Sequence, residues 1–257
     1  MIDWNLGNIP RGLAVEGDKD KIIIEAFLDA GERNWSNWRS QVKIMPAGSK
    51  TKVIDELQPD KSEIWGLIDK DSSSQKEIDE LQAKHQNLLI LPRWTIENYF
   101  IDPSDLVSLL PQNLSLANIT KTIDESKAEW LKRGALWHVF EERGLFGEHY
   151  PNPRGLFKTP MPNKDEIRHQ LEAWNRQLNP DSVLSDYDEK LQEFYNNPDK
   201  NYRLHIHGKK FFQEVIVQAL NYGEKAPQDT ITWIKQLLKR LTDCPADIVP
   251  ILRRVVG

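Results

Sequence analysis

At 257 residues, 39% hydrophobic and 28% charged, the chain has the profile of a globular protein with one large domain or a core plus a substantial insertion. Its formal net charge of −5, from 34 basic and 39 acidic residues, excludes nucleic-acid binding by bulk electrostatics, so any such binding needs local basic patches or bound metal ions. The single cysteine, Cys244, excludes an internal disulfide framework and a Cys-rich zinc site, and a reducing cytoplasm is the expected compartment.

No apolar run approaches the roughly 20 residues that span a bilayer, so no membrane partner is expected. The opening "MIDWNLGNIPRG" lacks the basic-then-apolar order of a secretory signal. Then two periodicities alternate. "GLAVEG", "SQVKIMPAG", "EIWGLIDKD" and "NLLILPRW" predict four strands, the last leaving its sheet near Pro92. Between them "KDKIIIEAFLDAG", "KTKVIDELQ" and "SSQKEIDELQAKH" predict helices, the third opened by the "SSS" of 72–74 with a Ser74–Glu77 capping box. Strands separated by helices of this length imply a parallel sheet with right-handed crossovers.

The pattern changes from about 102 to 201. "DPSDLVSLL", "ITKTIDESKAEWLKRGALWHVFEERG", "NKDEIRHQLEAWNRQL" and "YDEKLQEFYNN" predict helices, broken by "HYPNPRG" and "KTPMPN". Trp130, Trp137 and Trp174, at helical spacings, are expected in core packing. "YRLHIHGKKFFQEVIVQAL" then reads as a strand–Gly–helix return, and "DTITWIKQLLKRL" and "DIVPILRRVVG" as closing helices. The expected organisation is an α/β core over 11–105, an α-helical insertion over 106–200, and a return to the core with C-terminal helices over 201–257.

Carboxylates stand at three of the expected strand ends, where open α/β sheets bind ligands. Glu16 ends the first strand with Asp20 one turn on, Asp69 and Asp71 follow the third, and Glu97 follows the fourth. Asp18 and Asp20 also suit a helix N-terminus electrostatically. Glu16 and Asp69 end apolar strands, where an unpaired carboxylate is expensive to desolvate. Clustered acids repel one another, and a divalent cation with hard oxygen ligands relieves that repulsion and serves phosphate chemistry. Three other motifs fail on context. "DKDSSSQKEIDE" has Ser74 where a calcium loop needs Gly. Haloacid-dehalogenase phosphatases carry D-x-D after the first strand of the sheet, not the third. A response-regulator receiver has no use for Asp71, Glu97 or the helical middle.

"VEGDKD" and "LIDKD", each after an apolar strand, resemble the acidic motifs of a TOPRIM domain, the fold shared by topoisomerases, DnaG-type primases and OLD-family nucleases. "RWTIENYF" resembles the R-x-x-E-N-Y segment of a TOPRIM-like bacterial family associated with ABC-type ATPases, which includes the nuclease effector of PARIS-type anti-phage systems. "HGKKFF" resembles a late Gly-Lys segment of the same proteins. The resemblance covers roughly residues 11 to 105 and 202 to 222, leaving the helical middle unmatched. It implies a TOPRIM-like parallel sheet and a Mg²⁺- or Mn²⁺-dependent endonuclease acting on DNA or RNA. It also implies an anti-phage role under an ABC-type ATPase partner. That ATPase would be another chain, since no G-x-x-x-x-G-K-[ST] pattern is present. A homodimer is compatible with this reading.

By position, the resemblance makes Glu16 a general base or metal ligand, and Asp69 and Asp71 the central metal ligands. Asp20 and Glu97 would serve a second metal or the outer shell, with pairing to Arg93 as the other reading of Glu97. Lys209 opens a helix, where the dipole disfavours a cation unless an anion such as a scissile phosphate shares the site. Lys210 is read as the exposed member of the pair. His205 and His207, on one face of the expected strand, are read as a polar face, with a transition-metal site as the other option. The alternative function is a non-catalytic regulatory subunit that binds Mg²⁺ or a nucleotide, with nucleotidyl transfer third.

Overall fold

A computed structural model describes residues 2–31, 35, 37–71, 73–111, 114–143, 164–222 and 228–257. Four strands, β1 (Arg11–Val15), β2 (Val42–Pro46), β3 (Ile64–Ile68) and β4 (Leu88–Ile90), form one parallel sheet in the order β2-β1-β3-β4. The pairing sets Leu13 against Ile44 and Trp65, and Ile68 against Ile90. Parallel neighbours need crossovers, supplied by α1 (Asp18–Ala30), α2 (Lys50–Asp55) and α3 (Gln75–Lys84).

Alternation along the strands sorts the helices to two faces. Leu13, Val15, Ile44, Leu67 and Leu89 pack with Ile23, Ile24 and Phe27 of α1. Ala14, Ile68 and Leu88 face the other way, onto Val53 and Ile54 of α2 and Leu81 of α3. Gly66 allows α2 its close approach, since a Cβ there would lie 2.8 Å from Val53 Cγ1. α3 is opened as expected by a Ser74–Glu77 capping box, with Glu77 Oε2 accepting the Ser74 N–H at 2.7 Å. Ser72 lies outside the described residues.

After β4 the chain makes a 3₁₀ turn (Ile96–Phe100) and enters the helical section: α4 (Pro103–Leu106), α5 (Leu116–Glu142), α6 (Lys164–Gln177), α7 (Pro180–Asn196) and α8 (Pro198–His205). The proposed breaks "HYPNPRG" and "KTPMPN" fall outside the described residues. The expected tryptophan stripe divides. Trp130 is buried, whereas Trp137 and Trp174 are half-buried.

The strand expected within "YRLHIH" does not form. Asn197 caps a helix by accepting the Lys200 N–H, and Pro198 occupies its first turn, where its missing N–H costs nothing. α8 therefore runs to His205, and His205 and His207 do not share a strand face. α9 (Gly208–Phe211) follows, passing through a π-helical turn (Phe212–Ile216) into α10 (Val217–Leu220). α11 (Thr230–Leu238) and α12 (Val249–Val256) close the chain. One continuous apolar cluster joins Leu13 and Phe27 of the sheet layer to Trp130, Phe194 and Tyr202 of the helical section and to Ile234 and Leu252 near the C-terminus. No described helix is long and apolar enough to cross a membrane.

Candidate functional site

The chain leaves β1 by a helix on one face and β3 by a helix on the other, which opens a crevice between their carboxyl ends. Glu16 ends β1 and Asp69 ends β3. The two are joined directly, with Glu16 Oε1 accepting the Asp69 N–H at 3.0 Å. Asp69 Oδ1 in turn accepts the Ile96 N–H at 3.0 Å, which ties the β3 end to the 3₁₀ turn. Asp20, in the first turn of α1, accepts the Gly17 N–H at 2.8 Å. Glu97, on the 3₁₀ turn, is 1% exposed and salt-bridged to Lys19.

Glu16, Asp18, Asp20, Asp69 and Glu97 line one cavity of about 490 Å³, together with Lys19, Lys209 and Gln213. Five carboxylates against two lysines leave a formal −3 when all are ionised. The cost appears in the acidities. Burial, then repulsion from Glu97, Asp20, Glu16 and Asp71, pushes the Asp69 carboxyl well above the ordinary value. Burial also raises Glu16, against a partly offsetting bond from the Asp69 N–H. Asp20 is raised by burial and by Glu97, with Lys19 and Lys209 opposing.

The donor set is all oxygen and net negative, which is the chemistry of a Mg²⁺ or Mn²⁺ site. Among the described residues, however, no three His, Cys, Asp or Glu side chains are gathered closely enough to hold an ion. Lys19 supplies the internal counter-charge to Glu97 instead.

Two expected roles need correction. Asp71 does not line the cavity; its carboxylate pairs with Lys50 at 2.8 Å. Its φ of 54° is the left-handed conformation, and its N–H donates to Trp94 O at 2.7 Å; its charge still acts on Asp69 and Glu16 from the edge of the site. Glu97 does not pair with Arg93. The Arg93 guanidinium bonds Asp247 at 2.9 Å, Asp105 at 3.2 Å and Asn98 O at 2.8 Å, clamping the 3₁₀ turn to α4 and the C-terminal segment.

Lys209 reaches the cavity through Asn98. The Asn98 amide donates to Arg203 O and Ile206 O, both at 3.0 Å, and its Oδ1 accepts the Thr95 N–H at 2.9 Å. Gly208 lies against it so closely that a Cβ would sit 2.1 Å from Asn98 Oδ1. Gly208→Ala is therefore expected to cost about 1–3 kcal/mol, the usual range for overpacking, by forcing Asn98 off its three backbone partners. Thermal melting checks it, and an unchanged Tm would deny the contact its role. Lys209 and Lys210 are both exposed, so exposure does not separate the pair as expected; what does is that the Lys210 Nζ stands 4.7 Å over the Trp137 ring.

Lys19 and Lys50 escaped the sequence reading. For Lys19 the signal was available, since a cation in the first turn of a helix is disfavoured unless an anion faces it. His205 packs 5.2 Å from His138, and burial holds these imidazoles down at about 4 and about 3, so both are neutral at ordinary pH.

Sheet and crevice define an α/β protein whose candidate site lies at the strand-order reversal. No protein-family model, curated protein or solved structure significantly matches this chain.

Proposed function

We propose that the chain is a TOPRIM-like, divalent-metal-dependent phosphodiesterase that hydrolyses DNA or RNA, acting as a defence effector under an ABC-type ATPase partner. The supporting observation is the net-negative cavity at the ends of β1 and β3, with a lysine on its wall. A Mg²⁺ or Mn²⁺ ion held by one or two of Glu16, Asp69 and Asp20, with waters filling its other positions, would supply the missing positive charge and the Lewis acidity that phosphoryl transfer uses.

The chain's own groups divide the remaining work. Glu16, with its acidity lowered by burial, is suited to accept a proton from an attacking water. Asp69 fixes Glu16 through its N–H and the 3₁₀ turn through its carboxylate. Lys209 presents an ammonium to the charge that develops on the phosphate. Lys19 holds Glu97 in place.

A second reading draws support from the same Lys19–Glu97 pair. A cavity already neutralised in part by its own lysine suits a regulatory subunit that binds Mg²⁺ or a nucleotide without turnover. Incubating the protein with supercoiled plasmid, single-stranded DNA and total tRNA, in Mn²⁺ or EDTA, separates the two. The hydrolase reading expects Mn²⁺-dependent cleavage of at least one substrate, raised by the co-purified ATPase, and none in EDTA. Cleavage of none, with or without the ATPase, supports the binding subunit.

A further inference from the structure

Beside the carboxylate crevice lies a second cavity of about 300 Å³, whose walls include Trp94, Trp130, Trp137, His207, Arg133 and Lys210. We infer that it is a stacking subsite for an unpaired base of single-stranded nucleic acid, the strand passing from there to the carboxylates. The inference rests on the hydrolase reading and names the form of its substrate.

The rings are set at right angles. His207 lies stacked on Trp94, with centroids 5.9 Å apart and planes 20° from parallel. Trp137 stands near-perpendicular to both, at 5.1 Å and 82° from His207 and 6.0 Å and 81° from Trp94. Trp94 is 1% exposed and backs the cavity, so the half-buried rings of Trp137 and His207 are the surface a flat heterocycle would meet. The volume is at the lower end of the range for small-ligand pockets, about 300–1,000 Å³. His207 is held below its ordinary pKa, by burial first and by Lys210 next, so its ring is a neutral stacking surface at ordinary pH.

Charge distinguishes this cavity from core packing. The Lys210 ammonium lies over Trp137 and makes no ion pair among the described residues. Arg133 stands 4.8 Å from the Trp130 ring, but Glu214 at 3.3 Å and Glu129 at 3.5 Å already pair with it. Aromatic faces with a cation above them are what single-stranded nucleic-acid sites use, stacking the base and neutralising its phosphate. In a chain of net charge −5, that combination is local and directed.

Connectivity supplies the second line of support. Lys209 lines the carboxylate cavity and Lys210 lines the aromatic one, so successive residues of one helix face the two sites. Trp94 is also bonded through its carbonyl to the Asp71 N–H, at the edge of the carboxylate site. Duplex bases are stacked on one another and cannot enter such a corner, which is why the site selects unpaired strands.

The test is fluorescence anisotropy of a short labelled oligothymidylate and a matching oligouridylate, with the full chain in EDTA so that no cleavage occurs. Wild type is expected to bind at least one of them more tightly than a matched duplex. Trp137→Ala should weaken that binding roughly tenfold, the scale of one lost stacking contact, while Trp137→Phe retains most of it. Lys210→Gln should weaken binding and reduce its salt slope by about one phosphate contact. Unchanged affinity in Trp137→Ala with a normal melting curve, preference for duplex, or no binding of either strand would overturn the inference. Should Trp137→Ala fail to fold, Lys210→Gln decides, and an unchanged affinity and salt slope there overturns it. Loss of binding in Trp137→Ala alongside cleavage undiminished by Asp69→Asn would sink the hydrolase reading and leave the stacking subsite standing.

Discussion

Asp69→Asn is expected to reduce Mn²⁺-dependent cleavage to background and to abolish the rise in Tm that Mg²⁺ or Mn²⁺ gives the wild type. In the wild type, metal at about a hundred times its Kd adds about 2.7 kcal/mol by mass action. For a chain of this size that corresponds to roughly 5–10 °C. The fold should survive, because the Asn carbonyl can still accept the Ile96 N–H. Without metal the sign reverses. A carboxyl whose folded pKa is raised binds its proton more tightly folded than unfolded, so stability is lost as pH rises through that raised value. Asparagine carries no such penalty. In EDTA the variant should therefore melt at or above the wild type, by a margin that grows as pH rises from the ordinary carboxylate value toward the raised one. An identical metal response in the two proteins would remove Asp69 from any metal site.

Lys209→Gln is expected to lower kcat by roughly a hundredfold or more, the scale of a lost oxyanion donor, while the metal-induced rise in Tm persists. Lysine is not a ligand to the metal, so the two readouts part company. Stability should change little, since relief of the cation's conflict with the helix dipole, a few tenths to about 1 kcal/mol, is opposed by loss of its attraction for Asp20. Single-turnover kinetics with saturating substrate measures the chemical step directly. A wild-type rate in Lys209→Gln would leave the carboxylates to carry the chemistry alone.

The sheet was legible because each of its strands is an apolar run bounded by turn residues, and the acids at those ends converge once the strands are parallel. Glu16, Asp20, Asp69 and Glu97 were found on that ground and do share a cavity. Asp71 was not separable from Asp69, because a spacing of two says nothing about the sign of the φ at Asp71 itself. Pairing of Glu97 with Arg93 stayed open because the two are near in sequence, whereas Asp247, which Arg93 does bind, lies 154 positions away. "YRLHIH" alternates like a strand, but the helix signal lay upstream in Asn197 and Pro198. Trp137 was assigned to the core on its spacing, which identifies a helical stripe without showing how far it is covered. The aromatic cavity needs α5, α9 and the loop after β4 together, and no local pattern carries it.

The amide of Asn98 gives the molecule an order of assembly. The acids of the crevice all lie in the first hundred residues, but Asn98 finds its partner Ile206 only 108 residues later. At about 5–20 residues per second, a ribosome delivers that partner roughly 5–22 s after Asn98 itself. Until then a nascent chain holds the carboxylates and lacks both the ammonium of Lys209 and the ring of His207. A chain cut short anywhere in the helical section would keep the carboxylates and Lys19 and never acquire Lys209 or His207.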